Sequence, residues 1–148
     1  MRRTIAAFLA AGTVVLAGCG SSSHFADRNR PPTPVNISVY VNDARVSVSP
    51  SSIGGGPLVF LVTNSASRTE SVTIQPAGDS GSPIASTGPI NPGTSAQVQV
   101  DLTQGDYTVT SSPSGQSEAA SATSRAIKPA TMHVGAQRPN ANNAVLQP

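Results

Sequence analysis

Few residues in this 148-residue chain could make bonds or hold a ligand. The single cysteine, Cys19, follows Leu16-Ala17-Gly18, and its thiol is the strongest nucleophile the sequence offers. His24 and His133 are the two histidines, and Met132-His133 is the one adjacent thioether–imidazole pair, a donor set of the kind copper takes. On a strand, however, adjacent side chains face opposite sides, which leaves one packed and the other in solvent. Serine is plentiful, yet a serine triad would have to use His133, and the chain has no Gly-x-Ser-x-Gly elbow. Asp101 and Asp106 could face each other across a hairpin as paired carboxylates; solvated acids at strand ends are the plainer reading. Gly54-Gly55-Gly56 leads into Pro57 and an apolar run rather than a helix with Lys, so it reads as an inter-strand loop and not a phosphate cradle.

The elements around Cys19 give it a context. Met1-Arg2-Arg3-Thr4 is a basic start, and Ile5 to Leu16 is a run of twelve apolar or small residues. A membrane-spanning helix needs about 20 such residues, so the run is too short to cross. Basic start, apolar stretch and small residues before a cut point make residues 1–18 a secretory signal. Leu16-Ala17-Gly18-Cys19 resembles the lipobox of bacterial lipoproteins. The resemblance implies cleavage between Gly18 and Cys19, with diacylglycerol joined to the Cys19 thiol and a further acyl group, such as palmitate, on the new amine. Each buried CH₂ contributes about 0.8 kcal/mol, so one chain binds marginally and two anchor stably.

Residues 19–34 lack periodicity and end in Pro31-Pro32-Thr33-Pro34, the pattern of a tether spanning about 20 Å. From Val35 to Ser112 the chain alternates. Val35, Ile37, Val39 and Val41 interleave with polar residues; Val46 and Val48, then Val72 and Ile74, then Val98, Val100 and Leu102, then Tyr107 and Val109 do likewise. Leu58 to Val62 is a continuous apolar run suited to a central strand buried on both faces. Pro83 to Ser86 has the length of an edge strand. Seven short strands with turn signals between them predict an all-β antiparallel sandwich over residues 35–112. Its expected core is Val35, Ile37, Val39, Val41, Val46, Val48, Leu58, Phe60, Val62, Val72, Ile74, Val98, Val100, Leu102, Tyr107 and Val109. Residues 113–148 are polar and of low complexity, with room for a final strand near 130–135. Arg125, Lys128 and Arg138 make that tail basic beside an acidic domain, so it is expected to pack back across it, with weak attraction to anionic lipid or cell-wall polymer as the alternative.

Composition narrows the function classes. Aromatics are 3% and charged residues 11%, with 13 Gly and 13 Pro, which excludes a helical bundle. A formal net charge of +2 is too small for a nucleic-acid footprint, and one Cys permits no internal disulfide.

Several motifs between Val46 and Thr110 resemble the cupredoxin-type sandwich, with an immunoglobulin-like sandwich as the alternative. They are Val48-Ser49-Pro50-Ser51-Ser52-Ile53 and Gly56-Pro57 before a strand ending in Thr63-Asn64, then Gly88 to Thr94 before Val98, and Gln104-Gly105-Asp106-Tyr107. The resemblance implies a first copper-ligating His soon after Asn64, where Thr69, Glu70 and Ser71 stand. It implies a Cys and second His after Tyr107, where Ser111, Ser112, Pro113, Ser114, Gly115 and Gln116 stand. The copper ligands are therefore lost, and no cofactor is expected.

The resulting expectation is a non-catalytic lipoprotein anchored in the cell membrane through acylated Cys19, facing outside the cytoplasm. Its sandwich would bind or assemble with an envelope protein, and not with nucleic acid. The alternatives are a copper carrier using His133 and Met132 with His24, and an envelope hydrolase using serine and carboxylates.

Overall fold

The computed structural model describes residues 31–78, 82–115 and 126–140. Among them are eight strands and no helix: β1 (Val35–Val41), β2 (Val46–Ser49), β3 (Ser52–Asn64), β4 (Glu70–Pro76), β5 (Ala85–Ser86), β6 (Ser95–Leu102), β7 (Gly105–Pro113) and β8 (Ala130–Gln137). One sheet has the order β2-β1-β3-β6, and the other runs β3-β8-β7-β4-β5. The fold is thus an all-β sandwich, as the alternation predicts, with β3 shared by its two sheets.

Period-2 patterning decides the faces. Ile37, Val39 and Val41 are buried while Asn36, Ser38 and Tyr40 are exposed. In β3, Leu58, Phe60 and Val62 are fully buried, with β1 on one edge and β6 on the other. The expected burial on both faces holds at Val59 and fails at Leu61, which is 39% exposed because the outer face of this sheet meets solvent. Val35, Val48, Val98 and Val100 pack against the core from partly buried positions. Ala66, Ile90, Ile127, Met132 and Val134 join it from segments that carry little alternation. Tyr107 is buried, and its hydroxyl donates to the Thr103 carbonyl at 2.9 Å, fixing the connection that enters β7.

Most strand pairs are antiparallel, but two are parallel: β1 with β3, from Val35↔Leu58 to Val41↔Asn64, and β3 with β8, from Ser52↔His133. The reason lies in the connection after β2. Ser49 to Ser52 carries the chain to the other sheet instead of closing a hairpin, so β3 returns beside β1 in the same direction. The stretch expected as a final strand near 130–135 is β8, which lies between β3 and β7.

Gly54-Gly55-Gly56, read from sequence as a loop, is inside β3 and marks its corner between the sheets. The register with β8 shifts between Gly54 and Gly55, and Gly56 has φ +121. That backbone conformation is costly for any residue with a Cβ. Gly56→Ala is therefore expected to destabilise the domain by about 1–3 kcal/mol in urea unfolding. An unchanged midpoint would contradict a conformational requirement at this corner.

Candidate functional site

Seven paired residues carry β3 and β1 from Leu58 to Asn64, about 20 Å, to the pole of the sandwich where several loops gather. Asn64 ends β3 with its side chain fully buried. Its amide donates to the carbonyls of Arg68, at 2.8 Å, and Ile90, at 2.7 Å, and its Oδ1 accepts the Ala66 N–H at 2.9 Å. Glu70 opens β4 and is also fully buried. Arg68, two residues earlier in the bend that precedes β4, turns back to it, and its Nε donates to Glu70 Oε1 at 2.6 Å. The Ser111 hydroxyl of β7 donates to Glu70 Oε2 at 2.8 Å. The main chains of Glu70 and Ile90 exchange both hydrogen bonds. Thr69 Oγ1 donates to Asn91 Oδ1, and the hydroxyls of Ser71 and Ser114 pair.

This arrangement answers the comparison of ligand positions directly. Glu70 and Ser111 come from the two stretches where the cupredoxin resemblance implies copper ligands, and the fold brings them together. Both carboxylate oxygens of Glu70 are bound by internal donors, and Arg68 balances its charge, as burial of an ionised group requires. The cluster consequently braces β4, β7 and the loops at 65–69 and 87–94. Among the described residues no buried side-chain nitrogen or oxygen lacks a partner.

The residues considered for catalysis or metal binding lie elsewhere. His133 on β8 faces Asp106 on β7 in register, Nδ1 to Oδ1 at 2.7 Å, and both side chains are more than half exposed. With Ser51, Ala77, Thr131 and Met132 they line an open depression of about 460 Å³. Ser51 meets His133 through its carbonyl, which accepts the His133 N–H at 2.8 Å; no hydrogen bond joins its hydroxyl to the imidazole. Met132 is buried on the opposite face of β8, so thioether and imidazole do not converge. Asp101 and Asp106 do not form the hairpin pair the sequence allows, because β6 and β7 belong to different sheets. Among the described residues no three His, Cys, Asp or Glu side chains are grouped to hold a metal ion. Leu16, Ala17, Gly18, Cys19 and His24 lie outside the described residues.

Two contacts were not visible in the sequence motifs. Asp43, in the β1–β2 turn, accepts from the N–H and hydroxyl of Ser67, at 2.8 and 2.9 Å. The Ser67 N–H foremost, then its hydroxyl, hold the Asp43 carboxyl below its ordinary value of 3.8. Arg138, from the segment read as a tail, does pack across the domain. Its partners are main-chain carbonyls, Gly55 O at 3.1 Å, Thr33 O at 2.6 Å and Pro57 O at 2.7 Å, and not the acids expected from charge.

No family model and no curated protein matches the chain. Its structural neighbours are cupredoxin-like. Dithionite-reduced auracyanin from the photosynthetic bacterium Roseiflexus castenholzii is similar with 15% identity and TM-score 0.42, over 70% of this chain and 98% of that one. A multicopper oxidase is similar with 15% identity and TM-score 0.42, over 76% of this chain and 48% of its own.

Glu70→Ala removes the acceptor that the Arg68 guanidinium and the Ser111 hydroxyl share, and is expected to cost about 3–5 kcal/mol in urea unfolding. Glu70→Gln, which keeps an acceptor, should cost less. Because the Asp43 pKa is lowered on folding, its contribution is present above its unfolded value and fades as pH falls through the folded one. The stability difference between wild type and Asp43→Asn should accordingly be greatest near neutrality and shrink in acid, as read by unfolding across pH.

Proposed function

We propose that this chain is a non-catalytic lipoprotein of the cell envelope, anchored by acylated Cys19 with its sandwich outside the cytoplasm, and that the sandwich is a protein-interaction or assembly module. The observation that carries the anchor is the placement of the sole cysteine. It closes Leu16-Ala17-Gly18-Cys19 directly after a basic start and a twelve-residue apolar run, and Gly20-Ser21-Ser22-Ser23 follows. Two acyl chains at that point supply the stable membrane affinity that one does not.

The described geometry supports the second half of the reading. Loops held on a rigid scaffold are the parts of a sandwich that meet partners. Here the segments at 65–69 and 87–94 are braced from within by Asn64, Arg68 and Glu70. A carboxylate with both oxygens taken up in that bracing is a poor general base and a poor ligand. The partner on this reading is another envelope protein, with the bilayer engaged through Cys19.

The test of the anchor is Cys19→Ser in the native host, followed by detergent-phase partition and labelling with radioactive palmitate. Wild type should take up label and enter the detergent phase. The variant should take up none and either leave the membrane or accumulate as precursor. Equal partition and labelling of both would remove the anchor.

A further inference from the structure

We propose that Arg138 is a positioning residue that locks the end of the tether onto the sandwich, and so fixes which pole of the domain faces the surface it is anchored to. The orientation rests on the lipoprotein reading above; the lock itself does not.

The geometry starts from a gap along one edge of β3. β8 pairs with that strand up to Gly55, opposite Gln137, and β1 begins to pair only at Leu58, opposite Val35. Between them the carbonyls of Gly55 and Pro57 need donors. Arg138 supplies these from its side chain, Nε to Gly55 O and Nη2 to Pro57 O, while its own N–H also donates to Gly55 O at 3.0 Å. Nη1 then reaches Thr33 O at 2.6 Å, in the segment that enters β1. One planar fork thus joins the end of β8, the corner of β3 and the start of the folded chain. A lysine, with a single ammonium on a flexible stem, cannot span three carbonyls in this way.

The glycines of the corner leave room for this side chain. A Cβ at Gly54 would stand 2.7 Å from Arg138 Cγ, and one at Gly56 would stand 3.1 Å from Nη2 and 3.4 Å from Pro32 Cγ. Pro32 is itself buried. The chain is therefore held from Pro32 onward, ahead of the first strand residue at Val35. This entry point is where β3 begins to pair with β1, at Leu58, whereas the Asn64–Glu70 cluster is where that pairing ends, about 20 Å away. Fixing the entry point keeps the domain from swivelling at Pro34 and turns the braced loops away from the anchor.

The lock is tested on the full chain carrying Cys19→Ser, which leaves one thiol whether or not lipidation occurs. A nitroxide is placed at Thr33→Cys, whose backbone carbonyl is retained, and separately at Ser38→Cys on the exposed face of β1. In the parent both labels should tumble with the domain. In Arg138→Ala and Arg138→Lys the rotational correlation time at position 33 should fall severalfold, toward the nanosecond motion of a loop, with position 38 unchanged. A label at 33 that is already fast in the parent, or that stays slow in both variants, overturns the proposal. So does loosening at 33 and 38 together in the lysine variant, which assigns Arg138 to general stability. Failure of detergent partition by the wild-type protein would remove the anchor and leave this result standing.

Discussion

Strand β3 holds the two sheets together by belonging to both. Its first residues pair with β8, and from Gly56 onward it pairs with β6, joined by β1 from Leu58. A strand that changes sheets has to bend sharply, and the chain bends at three consecutive glycines. The bend leaves carbonyls that neither β8 nor β1 can reach, and Arg138 donates to them. The sequence Gly54-Gly55-Gly56-Pro57 and the arginine at 138 therefore solve one problem together, although 81 residues separate Pro57 from its donor. Both parallel pairings of the fold lie on this strand.

The opposite pole is organised by a different constraint. Glu70 is fully buried, and a buried carboxylate is tolerated only when charge and lone pairs are both answered. Arg68 answers the charge, Ser111 takes the second oxygen, and Asn64 ties the intervening carbonyls. The chain thereby uses polar side chains to tie its loops together at this end of the molecule. Such a network holds the loops in place through donors and acceptors of the chain itself.

Strand residues with strong alternation were legible because period 2 reports which face meets the core. β1, β4 and β7 are of this kind, and Ile37, Val39, Val72, Ile74 and Val109 are buried as expected. Alternation does not report which strand is the neighbour, so the parallel pairings and the central place of β8 could not be read from it. β8 offers two fully buried apolar residues, Met132 and Val134, and a partly buried Ala130 after a low-complexity stretch, and its signal is weak for that reason. The polar cluster was hidden by distance along the chain. Glu70 and Ser111 are 41 residues apart, and each alone looks like an ordinary solvated group. The pairing of His133 with Asp106 is hidden in the same way, since the two are 27 residues apart and meet only because β8 lies beside β7.

The position of β8 also sets the order in which this molecule can be completed. A chain that emerges N-terminus first has β1 to β7 in hand while the strand that joins β3 to β7 is still missing. Until Ala130 to Gln137 arrives, the second sheet is split, and contacts between residues far apart in sequence must wait for it. Completion of that sheet therefore waits for β8, and the arginine one residue beyond it supplies the donors for Gly55 and Pro57. No N-terminal piece that stops short of β8 contains the pairings that join β3 to β7.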